Sequence, residues 1–228
     1  MNRKDRRAAG VKLPKPALRD IVTALCLAAP WIIRTRWPPR FGHSLEMSFA
    51  GRAVLKRHQY GADLTPCVLV IGNAAKTMCV GDNRAGYDLL ARRGHFGKVP
   101  SFHEWQSGTL LGGDANGAHI VMRAYSESAR AFADLTFGQV AIKTNGAIEV
   151  PPAFAGFGDV EWPSAKMGDV WFTYTEAPEP KEMQTIVASD WTGLIDDLAT
   201  LVDIALGYRN DEQRFVAEMQ RQMQQMGR

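Results

Sequence analysis

The feature that most constrains this chain is the run from residue 119 to residue 134, HIVMRAYSESARAFAD, the most regular β pattern in the sequence, in which every second position (120, 122, 124 and 129, 131, 133) is apolar on either side of a short polar centre. Strict alternation places successive side chains on opposite faces of a strand, so the run predicts a β-hairpin with one face given to the core. With Ser126-Glu127 at the centre of the turn, cross-strand partners have numbers that sum to 253. That register puts His119 opposite Asp134 and Ile120, Met122 and Ala124 opposite Ala133, Ala131 and Ala129. The alanine-rich face then belongs to the core, and the face carrying His119 and Asp134 looks into a cleft.

A carboxylate beside an imidazole fixes the tautomer and orientation of the ring and stabilises the imidazolium that forms when it takes a proton. Such a pair also occurs as an ordinary strand histidine bonded to a convenient carboxylate. It becomes a catalytic constellation only with a nucleophile in reach. The strongest candidate stands at Ser44, where an irregular stretch (RWPPRFG, residues 36–42) gives way to SLEMSFAGRAVLKR, a proline-free segment apolar around most of its circumference. The start of a buried helix offers free N–H groups and a positive dipole end to a developing oxyanion. A serine there is also a good N-cap, whose hydroxyl would bond the amide of Met47. Gly51 in the same helix permits close approach of another backbone.

The other segments are read more coarsely. Residues 1–14 are polar and basic and predict a disordered tail. A helix follows from about Pro16 toward Trp31, a buried strand over 67–71, a short partner strand over 78–80, a surface helix over 83–93 and a further strand over 170–174. Two C-terminal helices complete the chain, the first with an apolar stripe from Trp191 to Ala205 and the second with Phe215, Val216, Met219, Met223 and Met226. The expected organisation is one domain over 15–208 and a terminal helix over 209–228. That helix packs on its own domain or docks a partner or a second copy.

Composition removes several function classes. A net charge of +3 with no basic stripe interleaved with aromatics argues against nucleic acid. The three cysteines, Cys26, Cys67 and Cys79, are odd in number and unrelated in spacing, which argues against a disulfide framework and a paired-cysteine zinc site and for a reducing, cytoplasmic setting. The apolar stretch 21–33 is too short to span a bilayer, so no membrane segment is expected. No HExxH, P-loop or GxGxxG after a strand occurs, so no metal or organic cofactor is expected.

The order of these parts resembles the papain/transglutaminase-like cysteine hydrolases over about residues 42–152. GAHIVMRAYSESARAFADLTFGQV is similar to their pattern of a histidine on one strand and D-x-T-x-x-Q at the end of the next, carried here by His119, Asp134, Thr136 and Gln139. GHSLEMSFAGRAVLKRHQYGADLTPCVLVIG is similar to their nucleophile helix and first core strand. The resemblance implies an α+β fold in which a buried nucleophile helix packs on an antiparallel sheet, with C-terminal helices added. It implies a protease, amidase or acyltransferase acting on an amide or thioester bond of a peptide or protein, with Ser44, His119 and Asp134 as the catalytic set. Gln139, His43 and Trp105 are candidates for the cleft or oxyanion site, with Gln139 ranked first as a cap for the turn after Asp134. His103 is a rival histidine without a comparably placed carboxylate.

The departure is at position 44, where the family carries cysteine. A serine hydroxyl deprotonates far less readily than a thiol. The expectation is an inactivated Cys-to-Ser form, ahead of a natural serine enzyme. The alternative is a catalytically inactive peptide-binding or scaffold protein that keeps the fold.

Overall fold

A run of small and branched side chains on both faces of a long first strand organises the molecule. The computed structural model describes residues 15–37, 42–96, 98–112, 118–159, 161–180, 183 and 191–225. Strand β1 (Gly61–Gly72) pairs antiparallel with β4 (His119–Tyr125) through its first half and with β2 (Thr77–Val80) and β8 (Val170–Glu176) through its second. Strand β5 (Arg130–Asp134) pairs with β4 and with β6 (Phe154–Phe157), and β7 (Ser164–Met167) with β8. The eighth strand, β3 (Thr109–Gly112), runs parallel to β2. The sheet is therefore mixed rather than wholly antiparallel, and the fold class is α+β.

Seven helices are described: α1 (Leu18–Arg36), α2 (Ser44–Arg57), α3 (Asn83–Arg92), α4 (Phe102–Gly108), α5 (Gln139–Lys143), α6 (Thr192–Gly207) and α7 (Glu212–Gln225). The expected stop of α1 near Trp31 does not occur. The helix continues through Pro30 to Arg36, with Ala28, Ala29 and Ile32 buried. An internal proline costs about 3 kcal/mol, and the packing of this face outweighs it. Among the described residues, no helix is long and apolar enough to cross a membrane. The predicted tail over 1–14 lies outside the described residues.

Each face of the sheet has its own core. On one, α1, α2, α6 and α7 pack over Met122 and over Ala124, Ala131 and Ala133, whose short side chains let the helices sit close. Gly51 of α2 serves the same contact, because a Cβ there would lie 2.7 Å from the Met122 side chain and 2.9 Å from Leu135. The close approach is thus to side chains rather than to the backbone expected from sequence. On the other face, Phe132, Phe137, Phe172 and Tyr174 form an aromatic layer beside Val121. The face expected to open on a cleft is covered by these rings, and its end near His119 lines a pocket.

The hairpin forms with a different register. Met122 pairs with Ala133 and Ala124 with Ala131, so partner numbers sum to 255 and the turn centres on Glu127-Ser128. The Ser126 amide donates to the Ala129 carbonyl at 2.9 Å, and the Ala129 amide to the Ser126 hydroxyl at 3.1 Å. A shift by two residues keeps every side chain on its face. His119 and Asp134 therefore stay on one face, as diagonal neighbours instead of directly opposed residues.

Candidate functional site

Asp134 is the most completely enclosed polar group of the site, with no exposed surface. Its Oδ2 lies 2.7 Å from His119 Nε2 and accepts a hydrogen bond from the Tyr174 hydroxyl at 2.9 Å. Its Oδ1 accepts from the Thr136 amide at 2.9 Å and the Thr136 hydroxyl at 3.1 Å. Burial pushes the Asp134 carboxyl up. The charge and hydrogen bond of His119, the Thr136 amide and the Tyr174 hydroxyl outweigh burial and hold it below the usual carboxylate range. An ionised carboxylate only accepts, so the proton between the two residues belongs to Nε2 of His119 and leaves Nδ1 for proton transfer.

Ser44 is the first residue of α2, not its cap. The cap position is His43, whose carbonyl accepts the Met47 amide at 3.1 Å. The expected bond from Met47 to the Ser44 hydroxyl does not form. Instead Ser44 Oγ accepts the Ile120 amide at 3.2 Å, and one helical turn on, Ser48 Oγ donates to the Ile120 carbonyl at 3.0 Å. Ile120 pairs with Pro66 in β1, which has no N–H to give. Two serines four residues apart thus seat the start of α2 on the strand that carries His119. Ser44 and His119 line the same pocket, and no hydrogen bond joins them in this structure.

Gln139 is the first residue of α5, and its side chain does not cap the turn after Asp134. Its Oε1 accepts the Gly42 amide at 3.1 Å, across 97 residues of chain, and so holds the segment that leads into Ser44. Its Nε2 is buried without an acceptor among the described residues. The pocket bounded by Gly42, Ser44, His119, Thr136 and Gln139 has apolar walls that include Leu69, Val80 and Phe137.

The remaining candidates separate. His43 stacks on Trp37 with ring centroids 4.3 Å apart, and both its ring nitrogens are buried without hydrogen-bond partners. Its nearest carboxylate oxygen is 3.9 Å away, on Glu46. Trp105 lies elsewhere, buried beside Tyr87 and Phe96 with its indole N–H donating to Asn83 at 2.7 Å, so it is a packing residue. His103 is exposed on α4. Cys67 pairs with His119 across β1 and β4, but burial, reinforced by the charge of Asp134, pushes its thiol well above the usual value. Burial likewise pushes Cys26 and Cys79 up to about 12. None of these thiols has the depressed pKa of a nucleophile.

Sequence reasoning missed Tyr174. Its approach to Asp134 depends on β8 lying beside β1, a long-range pairing without a local signal.

No family model matches the chain, and no curated protein matches it. A solved genomics crystal structure is similar at 15% sequence identity and a TM-score of 0.42, over 85% of this chain and 81% of that one.

Proposed function

We propose that this protein is a hydrolase or acyltransferase of the papain/transglutaminase-like type, acting in the cytoplasm on an amide or thioester bond of a peptide or protein. Ser44 occupies the nucleophile position and makes this a weakened form of a thiol-type site. The observation that carries the proposal is the buried His119–Asp134 pair, 2.7 Å apart, on the wall of the pocket that Ser44 also lines. In the reaction, the atom at position 44 attacks the carbonyl carbon and His119 takes its proton through Nδ1. Asp134 holds the ring and stabilises its positive charge. The carbonyl oxygen becomes an oxyanion beside the first-turn amides of α2, which have no acceptor within the helix. His119 then returns the proton to the leaving group.

The Ile120 amide adds to this arrangement. A donor aimed at Oγ favours the deprotonated form of whatever stands at position 44. It also supports a second reading, a peptide-binding protein without turnover, because the Ser44 hydroxyl is already engaged and is not bonded to His119.

Alkylation with 2-chloroacetamide at neutral pH separates the two. The three natural cysteines are held in the thiol form and label slowly. The Ser44→Cys variant is expected to label at least tenfold faster than they do, and to lose that advantage when His119→Ala is added. Labelling at the rate of an unassisted thiol, indifferent to His119, would leave the binding reading in place.

A further inference from the structure

We infer that the acyl group accepted at this site is short, uncharged and unbranched at its α-carbon, as in an acetyl or propionyl group carried on a peptide or protein through an amide or thioester bond, and not the α-branched residue of a backbone peptide bond. The inference rests on the catalytic reading of Ser44 and His119 given above, and it concerns what the pocket beside them can hold.

The first argument is size. The pocket has a volume of about 10 Å³, room for one water-sized group. A methyl group or a single methylene chain can enter such a space with small adjustments of the walls. An isopropyl group requires the walls to part, and close-packed interiors resist that.

The second argument is polarity. Away from the reacting groups, the described residues of the wall are Leu69, Val80, Ala118, Phe137 and Val140. The Asp134 charge is wholly taken up by its four donors. A carboxylate or ammonium on the acyl chain would lose its water and find no counter-charge among the described residues of this wall.

The third argument is the orphaned donor. Gln139 is only 5% exposed, and the Gly42 amide occupies its Oε1. That contact fixes which way the carboxamide faces, so Nε2 presents its hydrogens as the donor edge, and no acceptor among the described residues meets it. A buried donor left open in this way suits a ligand that brings an oxygen. A carbonyl oxygen carried into the pocket supplies it, and the oxyanion that forms on attack supplies a stronger acceptor.

The covalent step is ordinary acyl transfer. The nucleophile at position 44 gives its proton to His119 and bonds to the acyl carbon, and the bond from that carbon to the leaving group breaks. The leaving group departs with the electron pair and takes the proton from His119. Water then enters by the same route and releases the carboxylic acid.

The test uses the full-length Ser44→Cys variant with 4-nitrophenyl acetate, propionate, isobutyrate and hemisuccinate. Release of 4-nitrophenolate and the mass of the acyl adduct at position 44 are followed. Acetate and propionate are expected to acylate at least tenfold faster than isobutyrate and hemisuccinate, relative to their rates with a free thiol in solution. Val140→Ala, which widens the wall, is expected to close the gap between isobutyrate and acetate at least threefold. Gln139→Ala is expected to slow acylation by acetate at least tenfold while chloroacetamide labelling, which forms no oxyanion, changes less. Equal relative rates for all four esters overturn the inference, as does His119-dependent alkylation with no acylation by any ester; in both cases the catalytic reading stands. Alkylation indifferent to His119 removes the catalytic reading and this inference with it.

Discussion

The Tyr174 hydroxyl donates to the same Asp134 oxygen that receives the Nε2–H of His119. A strand 40 residues away in sequence therefore helps to set the charge state of the carboxylate that orients the histidine. Burial, and after it the charge of Asp134, pushes the Tyr174 phenol well above its usual value, so it remains a donor throughout the accessible pH range.

This contact predicts a change in acid stability. The carboxyl of Asp134 titrates below 3.8, its ordinary value, so the group contributes stability that is fully present above that value and lost as pH falls through the folded one. Tyr174→Phe removes one of the donors that hold the folded value down. The loss of stability on acidification should then be smaller and be complete at a higher pH, and unfolding at neutral pH should become easier by about 2 kcal/mol, as for a hydrogen bond to a charged group. Urea unfolding at a series of pH values between 3 and 7 measures both. An unchanged acid limb in the phenylalanine variant would mean that the hydroxyl contributes only packing.

Removal of the carboxylate itself should be more costly. Asp134→Ala leaves the His119 ring, the Thr136 amide and hydroxyl, and the Tyr174 hydroxyl in a closed interior with no acceptor between them. A loss of about 3 kcal/mol or more is expected, as for a buried pair broken from one side. Asp134→Asn retains an acceptor oxygen and should lose less, and its stability should no longer carry the Asp134 component of the pH dependence. Parallel denaturant curves for the two variants give the comparison.

The seat of α2 on β4 is a third point of test. Ser44 and Ser48 bond to the two ends of one residue, the Ile120 amide and carbonyl. Ser44→Ala leaves the amide without that acceptor and should cost about 1–3 kcal/mol. Ser48→Ala should cost a similar amount. Because both contacts fix the same helical turn on the same strand, the double variant should lose less than the sum, with a coupling of about 0.5 kcal/mol or more. Strict additivity would show that each hydroxyl acts on its own.

These contacts also show where the sequence was informative. The alternation through 119–134 predicts the hairpin and the shared face of His119 and Asp134, because side-chain direction follows parity alone. It does not fix the register, which the turn decides: Ser126 and Ala129 close a loop around Glu127-Ser128, and their bonds are local details that alternation does not encode. Strands β6 and β7 carry little patterning. Ser164, Ala165 and Lys166 are all exposed, and β7 holds its place by pairing with β8. The order of residues marks Gln139 as a site residue, while its contact with Gly42 joins two loops that only the folded sheet brings together.

The C-terminal helix gives the last prediction. Its apolar stripe was compatible with docking a partner or a second copy, but Phe215 is fully buried and meets the edge of Trp31 at a centroid distance of 6.5 Å, and Met219 joins the same core. The part of the stripe that carries these two residues faces the protein's own helices. Phe215→Ala should therefore lower unfolding stability by about 3–5 kcal/mol, as for an aromatic ring lost from a core. The mass of the chain in solution should be unchanged at concentrations where the variant remains folded. If Phe215 served chiefly to join two copies, its removal would shift the mass measured by light scattering toward the single chain and leave the stability of the dilute protein intact. Denaturation and light scattering on the same sample separate a core residue from an interface residue, because the first acts at every concentration and the second only where chains associate.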